Sequence, residues 1–490
     1  MKRYYILLLG LCMMSSIQAQ DNDPRKAFDR FAQRSKQKFD DFRSRANEQY
    51  AEAMKRAWER FNAQPAVPRP KDETVPPVVL PEQDRDKPIE TRPVPIKDVV
   101  TPPTPAPQPE PVSPIEERPQ PKDQTVGFVY CGTKLEVRMN ASSRPRLSSC
   151  DNDALAAAWS RLAKDDALNN TLRDCLDLRQ ELQLCDWAYL NMIHALAQKA
   201  FGESNEATLL TAYLYCQSGY QMRLARNSER VVLLFASNHA IYNSGYYRLE
   251  NTNFYPFGGE EPLLEICDAK FPKEQPMSLL IPRAQQLAQQ PSTPRTLTSK
   301  RYADISVTTS VNKNMIDFYD SYPTSEVNDN FMTRWAMYGN TPLDDRVKAE
   351  LYPALRAKIA GGGELEAANK LLNWVQTAFE YEYDEVVWGH DRAFFAEETL
   401  YYPYCDCEER HPLHQARARP AGPEDHTGLL PGPPGLRRRL RRPSGGRLHP
   451  PRRETIRRHR PDLYRGQCGN DHAGNGQQSG KRHPPEIVLQ

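Results

Sequence analysis

The 490-residue chain reads as an α+β protein with long non-globular flanks. Three observations carry that reading. Between residues 123 and 283 the apolar residues recur first at helical and then at strand spacing, with helices grouped ahead of strands. Between residues 300 and 410 strand and helix patterns return. The 43 prolines fall mostly in two other stretches, which lack any apolar period and so cannot share in a core.

The first residues give Lys2 and Arg3, an apolar run from Tyr4 to Met14, and small or polar residues ending in Gln18-Ala19-Gln20. This is the layout of a secretory signal, assigned to residues 1–19, and it is too short to span a bilayer as a mature helix. Leu11 before Cys12 is too large for a good lipoprotein cleavage box. No later run is long and apolar enough for a transmembrane helix, so an exported protein is expected, periplasmic or associated with the cell surface.

Residues 24–64 are expected to form an amphipathic helix. Phe28, Phe31, Phe39, Phe42, Ala46, Tyr50, Met54, Trp58 and Phe61 recur mostly at steps of three and four, over about nine turns. Such a face can self-associate, pack onto the body of the protein or lie on a membrane, although its balanced charge argues against the last. Residues 65–122 mix Pro, Glu, Val and Thr, as in Thr101-Pro102-Pro103-Thr104-Pro105. They read as a disordered, extended linker that holds the helix at a distance from the body.

The α+β domain at 123–283 opens with a hairpin, Gly127 to Tyr130 and Lys134 to Met139. Helices are expected at Asp153 to Ala163, Asn169 to Leu184, Trp187 to Ala200 and Asn205 to Gln217, then strands at Tyr220 to Leu224 and Val231 to Ala236. A polar stretch, Ala284 to Ser299, leads to the second unit. There Ile305 to Ser310 and Met315 to Tyr319 read as strands, and Asp344 to Ile359 and Glu364 to Glu380 as helices parted by Gly361-Gly362-Gly363.

Ten cysteines in an exported chain permit disulfides, but no CxxC occurs and the spacings fix no pairing. Two of them stand in Cys405-Asp406-Cys407-Glu408-Glu409, just after Ala396-Glu397-Glu398-Thr399-Leu400. Together with Ala367 to Gln376, Tyr381 and Tyr383, these residues resemble the core of the transglutaminase-like superfamily, whose fold is of the papain type. The resemblance covers the N-terminal half of that core, residues 300–410. It implies Cys407 as the nucleophile, with Glu409 in the place of an acidic residue, and a protein or peptide amide as substrate. No cofactor or metal is implied. A thiol at a helix N-terminus is favoured as thiolate by the dipole and unpaired amides, which also suit an oxyanion.

The family's base is a His on a strand beyond the central helix, oriented by an Asp on the next strand, and the chemistry needs both. Residues 411–490 supply neither, since they are an Arg, Pro, Gly and His mixture that reads as a disordered tail. Reading the codons from His411 one base later is compatible with an amphipathic helix, a glycine, an apolar strand and a histidine, in the order the fold demands. The codons of Ile456 to Gly466, shifted likewise, allow a strand bearing an Asp. A break of reading frame between Cys407 and Arg410 accounts for this. The His would then come from bases straddling Pro433 and Pro434, and the Asp from bases straddling Arg460 and Pro461, so this chain is expected to be catalytically dead.

A weaker echo lies upstream, where Ser204 stands in the place of the nucleophile, ahead of an apolar helix, Gly219 and two strands, with His239 near the base's place. Residues 123–283 therefore read either as a degenerate copy of the core or as an unrelated α+β domain. Other readings of the motif are plainer. Cys405, Asp406 and Cys407 with His411 and His414 make a poor zinc set, because zinc favours wider cysteine spacing. The run Arg437 to Arg442 lacks interleaved aromatics, so no nucleic-acid partner is expected. The alternative to an enzyme is a non-enzymatic envelope protein that binds a partner or acts as a scaffold.

Overall fold

The computed structural model describes residues 24–69, 115, 117–118, 122–259, 261–327, 337–389 and 392–405. The expected signal segment, most of the linker, the tail and Cys407 lie outside the described residues. No described helix is long and apolar enough to cross a membrane. The fold mixes helix and strand as expected.

Helix α1 (Pro24–Met54) carries the amphipathic face, and it does not stand off from the body. Ala46, Tyr50, Ala51 and Met54 are buried. The Tyr50 ring lies 4.7 Å from that of Trp159 and 5.9 Å from that of Phe271. From Ala46 to Met54 the face thus packs onto the body. The helix also stops seven residues before Phe61, and Trp58–Asn62 forms a strand, β1. A spacing of three satisfies a helix face, but in the strand it puts Trp58 and Phe61 on opposite sides, each against a different apolar cluster. Trp58 Nε1–H donates to the Met54 carbonyl, closing the last turn of α1.

The body begins with the hairpin β2 (Asp123–Tyr130) and β3 (Thr133–Asn140). Four helices follow: α2 (Asn152–Ala163), α3 (Asn169–Glu181), α4 (Asp186–Phe201) and α5 (Asn205–Gln217). α5 is the centre of the layer, with every residue from Leu209 to Gln217 buried. Strands β4 (Met222–Arg226), β5 (Val231–Ser237), β6 (His239–Ile241), β7 (Tyr247–Leu249), β8 (Thr252–Phe257) and β9 (Leu263–Cys267) come next. The main sheet is antiparallel in the order β1-β9-β4-β5-β8-β7. Its helix-covered face carries Leu224, Leu233 and Phe235, and the opposite face Ala225, Val232 and Leu234, so each strand feeds both clusters by alternation. β1 enters as an edge strand, pairing Trp58 with Cys267 through to Asn62 with Leu263.

The second stretch opens with the ribbon β10 (Arg295–Thr298) and β11 (Ser306–Thr309). The strand expected at Met315 to Tyr319 is instead helix α6 (Lys313–Asp320). Asn312 nucleates it by accepting the Asn314 N–H, and the helical turn brings Tyr319 and Tyr322 onto one ring, Phe395. β12 (Ser325–Val327) pairs with β6 of the first stretch. α7 (Asp345–Ile359) and α8 (Glu364–Thr377) follow, with Asp344 as the N-cap of α7. The chain then passes β13 (Glu380–Tyr381), α9 (Asp384–Val387), α10 (Ala396–Tyr401) and β14 (Tyr404–Cys405). One apolar cluster runs from Ala46 to Cys405, so the two stretches share a core.

Candidate active site

The approach to the cysteine turn is built on α8. Trp374 is fully buried, and its Nε1–H donates to the Leu297 carbonyl on β10 at 3.0 Å. On the residue before it, Asn373 Oδ1 accepts from Ser299 Oγ at 2.7 Å. These bonds fix α8 to the ribbon, and the chain leaves α8 as β13. β14 returns parallel to it, with Glu380 beside Tyr404 and Tyr381 beside Cys405. Cys405 is buried, and Cys407 lies two residues past the end of the described chain.

In the chain between β13 and β14 lies a largely buried cluster of charged groups. The Arg392 guanidinium lies 4.4 Å from the Trp388 ring centroid and 5.2 Å from that of Tyr402. Its Nη2 donates to Glu398 Oε1 at 2.8 Å and also to Asp320. Glu398 Oε2 accepts the Phe395 N–H at 2.9 Å, satisfying a donor at the start of α10. Next to it Glu397 Oε1 accepts the Asp344 N–H at 2.6 Å. Burial pushes the Glu397 carboxyl up to about 8 and the Glu398 carboxyl up to about 7, the latter against the pull of Arg392. At the far end of α10, Arg295 Nη1 donates to the Leu400 carbonyl at 2.9 Å and to that of Tyr402. Four side chains, Arg295, Arg392, Glu397 and Glu398, thus set where the chain enters β14. In the sequence Glu397 and Glu398 stand within the motif, but nothing local to them marks a role.

Elsewhere the sequence-derived candidates separate. Ser204 caps α5, accepting the Ala207 N–H at 3.2 Å. Asn205 beside it accepts the Val231 N–H at 2.9 Å, which places the start of β5 at that end of the helix. His239 follows the other end of β5, after about 20 Å of strand. It is 4% exposed, and its Nε2 accepts the Leu279 N–H at 3.2 Å while Nδ1 faces Ser325 Oγ at 3.3 Å. Ser204 and His239 are therefore two structural residues and not a catalytic pair. His390, Asp391, Asp406, His411 and His414 lie outside the described residues. Among the described residues no group of three or more His, Cys, Asp or Glu could hold a metal ion. Cys131, Cys150, Cys175, Cys185, Cys216 and Cys267 carry free thiols.

Comparison with known protein families, with curated proteins and with solved structures finds no match to this chain.

Proposed function

We propose that the chain is an exported, transglutaminase-like cysteine acyl-transferase or peptidase, directed at amide bonds of a protein or peptide, that has lost its activity. The observation that carries the reading is the order of elements around Cys405. A helix anchored by the buried Trp374 (α8) leads to β13, two short helices (α9 and α10) follow, and β14 pairs back onto β13 with Tyr381 beside Cys405. That order brings the chain on packed elements to within two residues of Cys407, which supports a nucleophile turn there. In such chemistry the thiolate attacks the amide carbonyl, and a His carries the proton to the departing amine. The sequence of residues 411–490, an Arg, Pro, Gly and His mixture, has no strand pattern to hold such a His, so the proton has no carrier.

A thiol-directed acylating probe tests the reading. Labelling is expected at Cys407, to be abolished by Cys407→Ala, with turnover returning only when the reading frame is restored after Cys407. A frame-restored chain that is neither labelled nor active would sink it. The other reading, a non-enzymatic envelope scaffold, draws on the way α1 and β1 complete the core and the main sheet of the body. It predicts that the frame-restored chain is as inert as this one.

A further inference from the structure

Glu397 is 1% exposed, and its two oxygens are treated differently. Oε1 takes the Asp344 N–H, while Oε2, equally buried, has no hydrogen-bond partner. The charges around it do not compensate. From the start of α7 it faces the Asp344 carboxylate, already engaged by the Arg346 N–H at 2.7 Å, and Lys348, whose ammonium is bonded to Asp345 at 2.9 Å. From α6 it faces the Tyr319 phenol, and on α10 itself Glu398, whose cation is Arg392 and beyond that Asp320. An anionic Glu397 would thus be a buried carboxylate with one oxygen unsolvated and a like charge beside it, which costs several kcal/mol. The neutral acid avoids most of that cost. Burial shifts the carboxyl in the matching direction. α10 runs on, through the carbonyls that Arg295 holds, to β14.

We propose that Glu397 is a proton-operated latch: protonated, it seats α10 between α6 and α7, and on losing its proton the carboxylate is driven out to water and draws α10 and β14 away from β13. The device does not depend on whether Cys407 reacts. Hydrogen exchange of the full chain, followed by mass spectrometry from pH 6 to pH 9 and corrected for intrinsic rates, tests it. Amides of 396–405 are expected to lose about tenfold in protection per pH unit above the release point, while those of α5 stay protected. Glu397→Gln, which keeps the neutral shape, is expected to abolish that loss, and Glu398→Gln to leave it in place. The proposal is overturned if protection of 396–405 does not change between pH 7 and pH 9. It is equally overturned if α5 loses protection in step, or if Glu397→Gln behaves as the native chain does. Should the Gln variant fail to fold, as α5 exchange at pH 6 reveals, the native comparison of 396–405 with α5 decides the matter alone.

Discussion

The side-chain amides of Asn47 and Gln217 bond each other in both directions, each at 3.2 Å, across a separation of 170 residues. Trp159 Nε1–H adds a third bond, to Asn47 Oδ1 at 3.0 Å. All three side chains are buried, so this knot ties α1 to α2 and α5 by polar groups that water cannot replace. Asn47→Ala strands the Gln217 amide and the Trp159 N–H together. A loss of about 2–4 kcal/mol in urea unfolding is expected. Because an unmade bond costs more than an absent one, Asn47→Leu with Gln217→Leu should recover part of that loss, leaving only the indole unpaired.

His239 gives the protein an acid-sensitive seam between β6 and β12. Burial holds its imidazole down at about 4, against about 6.5 for the unfolded chain. Between those values the unfolded state binds more protons, so the contribution of His239 is complete above pH 6.5 and is lost as pH falls towards 4. Its full size is about 3 kcal/mol. Protonation also removes the acceptor that Nε2 offers to the Leu279 N–H. Urea midpoints at pH 7 and pH 4.5 should differ less in His239→Gln than in the native chain. An equal acid shift in both proteins would show that other groups set the acid limit.

The β2–β3 turn is specified by Cys131 and Gly132, with φ of 40° and 66°. Positive φ at both positions is the conformation that matches the strand twist in a two-residue hairpin. A Cβ at Gly132 would stand 2.3 Å from Asn314 Oδ1, and Asn314 is itself fixed by its 2.7 Å bond to the Ala288 carbonyl. Gly132→Ala should therefore cost about 2 kcal/mol, half from the left-handed backbone and half from displacing Asn314. In a thermal melt, adding Asn314→Ala should yield less than the sum of the two single losses.

What the sequence discloses here depends on how local the determinant is. Asn205 to Gln217 is legible because its Ser218-Gly219 stop is local, and the Ser204 cap that the structure adds also acts within one turn of the helix. Met315 to Tyr319 is misread because an apolar run of that length fits either strand or helix. What decides it is Asn312, together with the distant ring of Phe395. β1 is hidden for the same reason, since its partner strand lies two hundred residues on, as the Arg60–Glu265 pair at separation 205 records. In the candidate site, the cysteine turn is legible through the family resemblance of the residues around it. The burial of Glu397 is not, because it depends on Asp344, 53 residues away, closing over the carboxyl.

The edge position of β1 also sets an order of events. A chain made or exported from its N-terminus releases Trp58–Asn62 long before Leu263–Cys267, the strand it must pair with. Closing a loop of that length carries an entropic cost on the order of 5 kcal/mol, and contacts of such separation form slowly. Trp58 and Phe61 therefore cannot take their final places until β9 exists. A segment that emerges early is thus locked late, and the time spent waiting is the interval in which a chaperone or protease finds it.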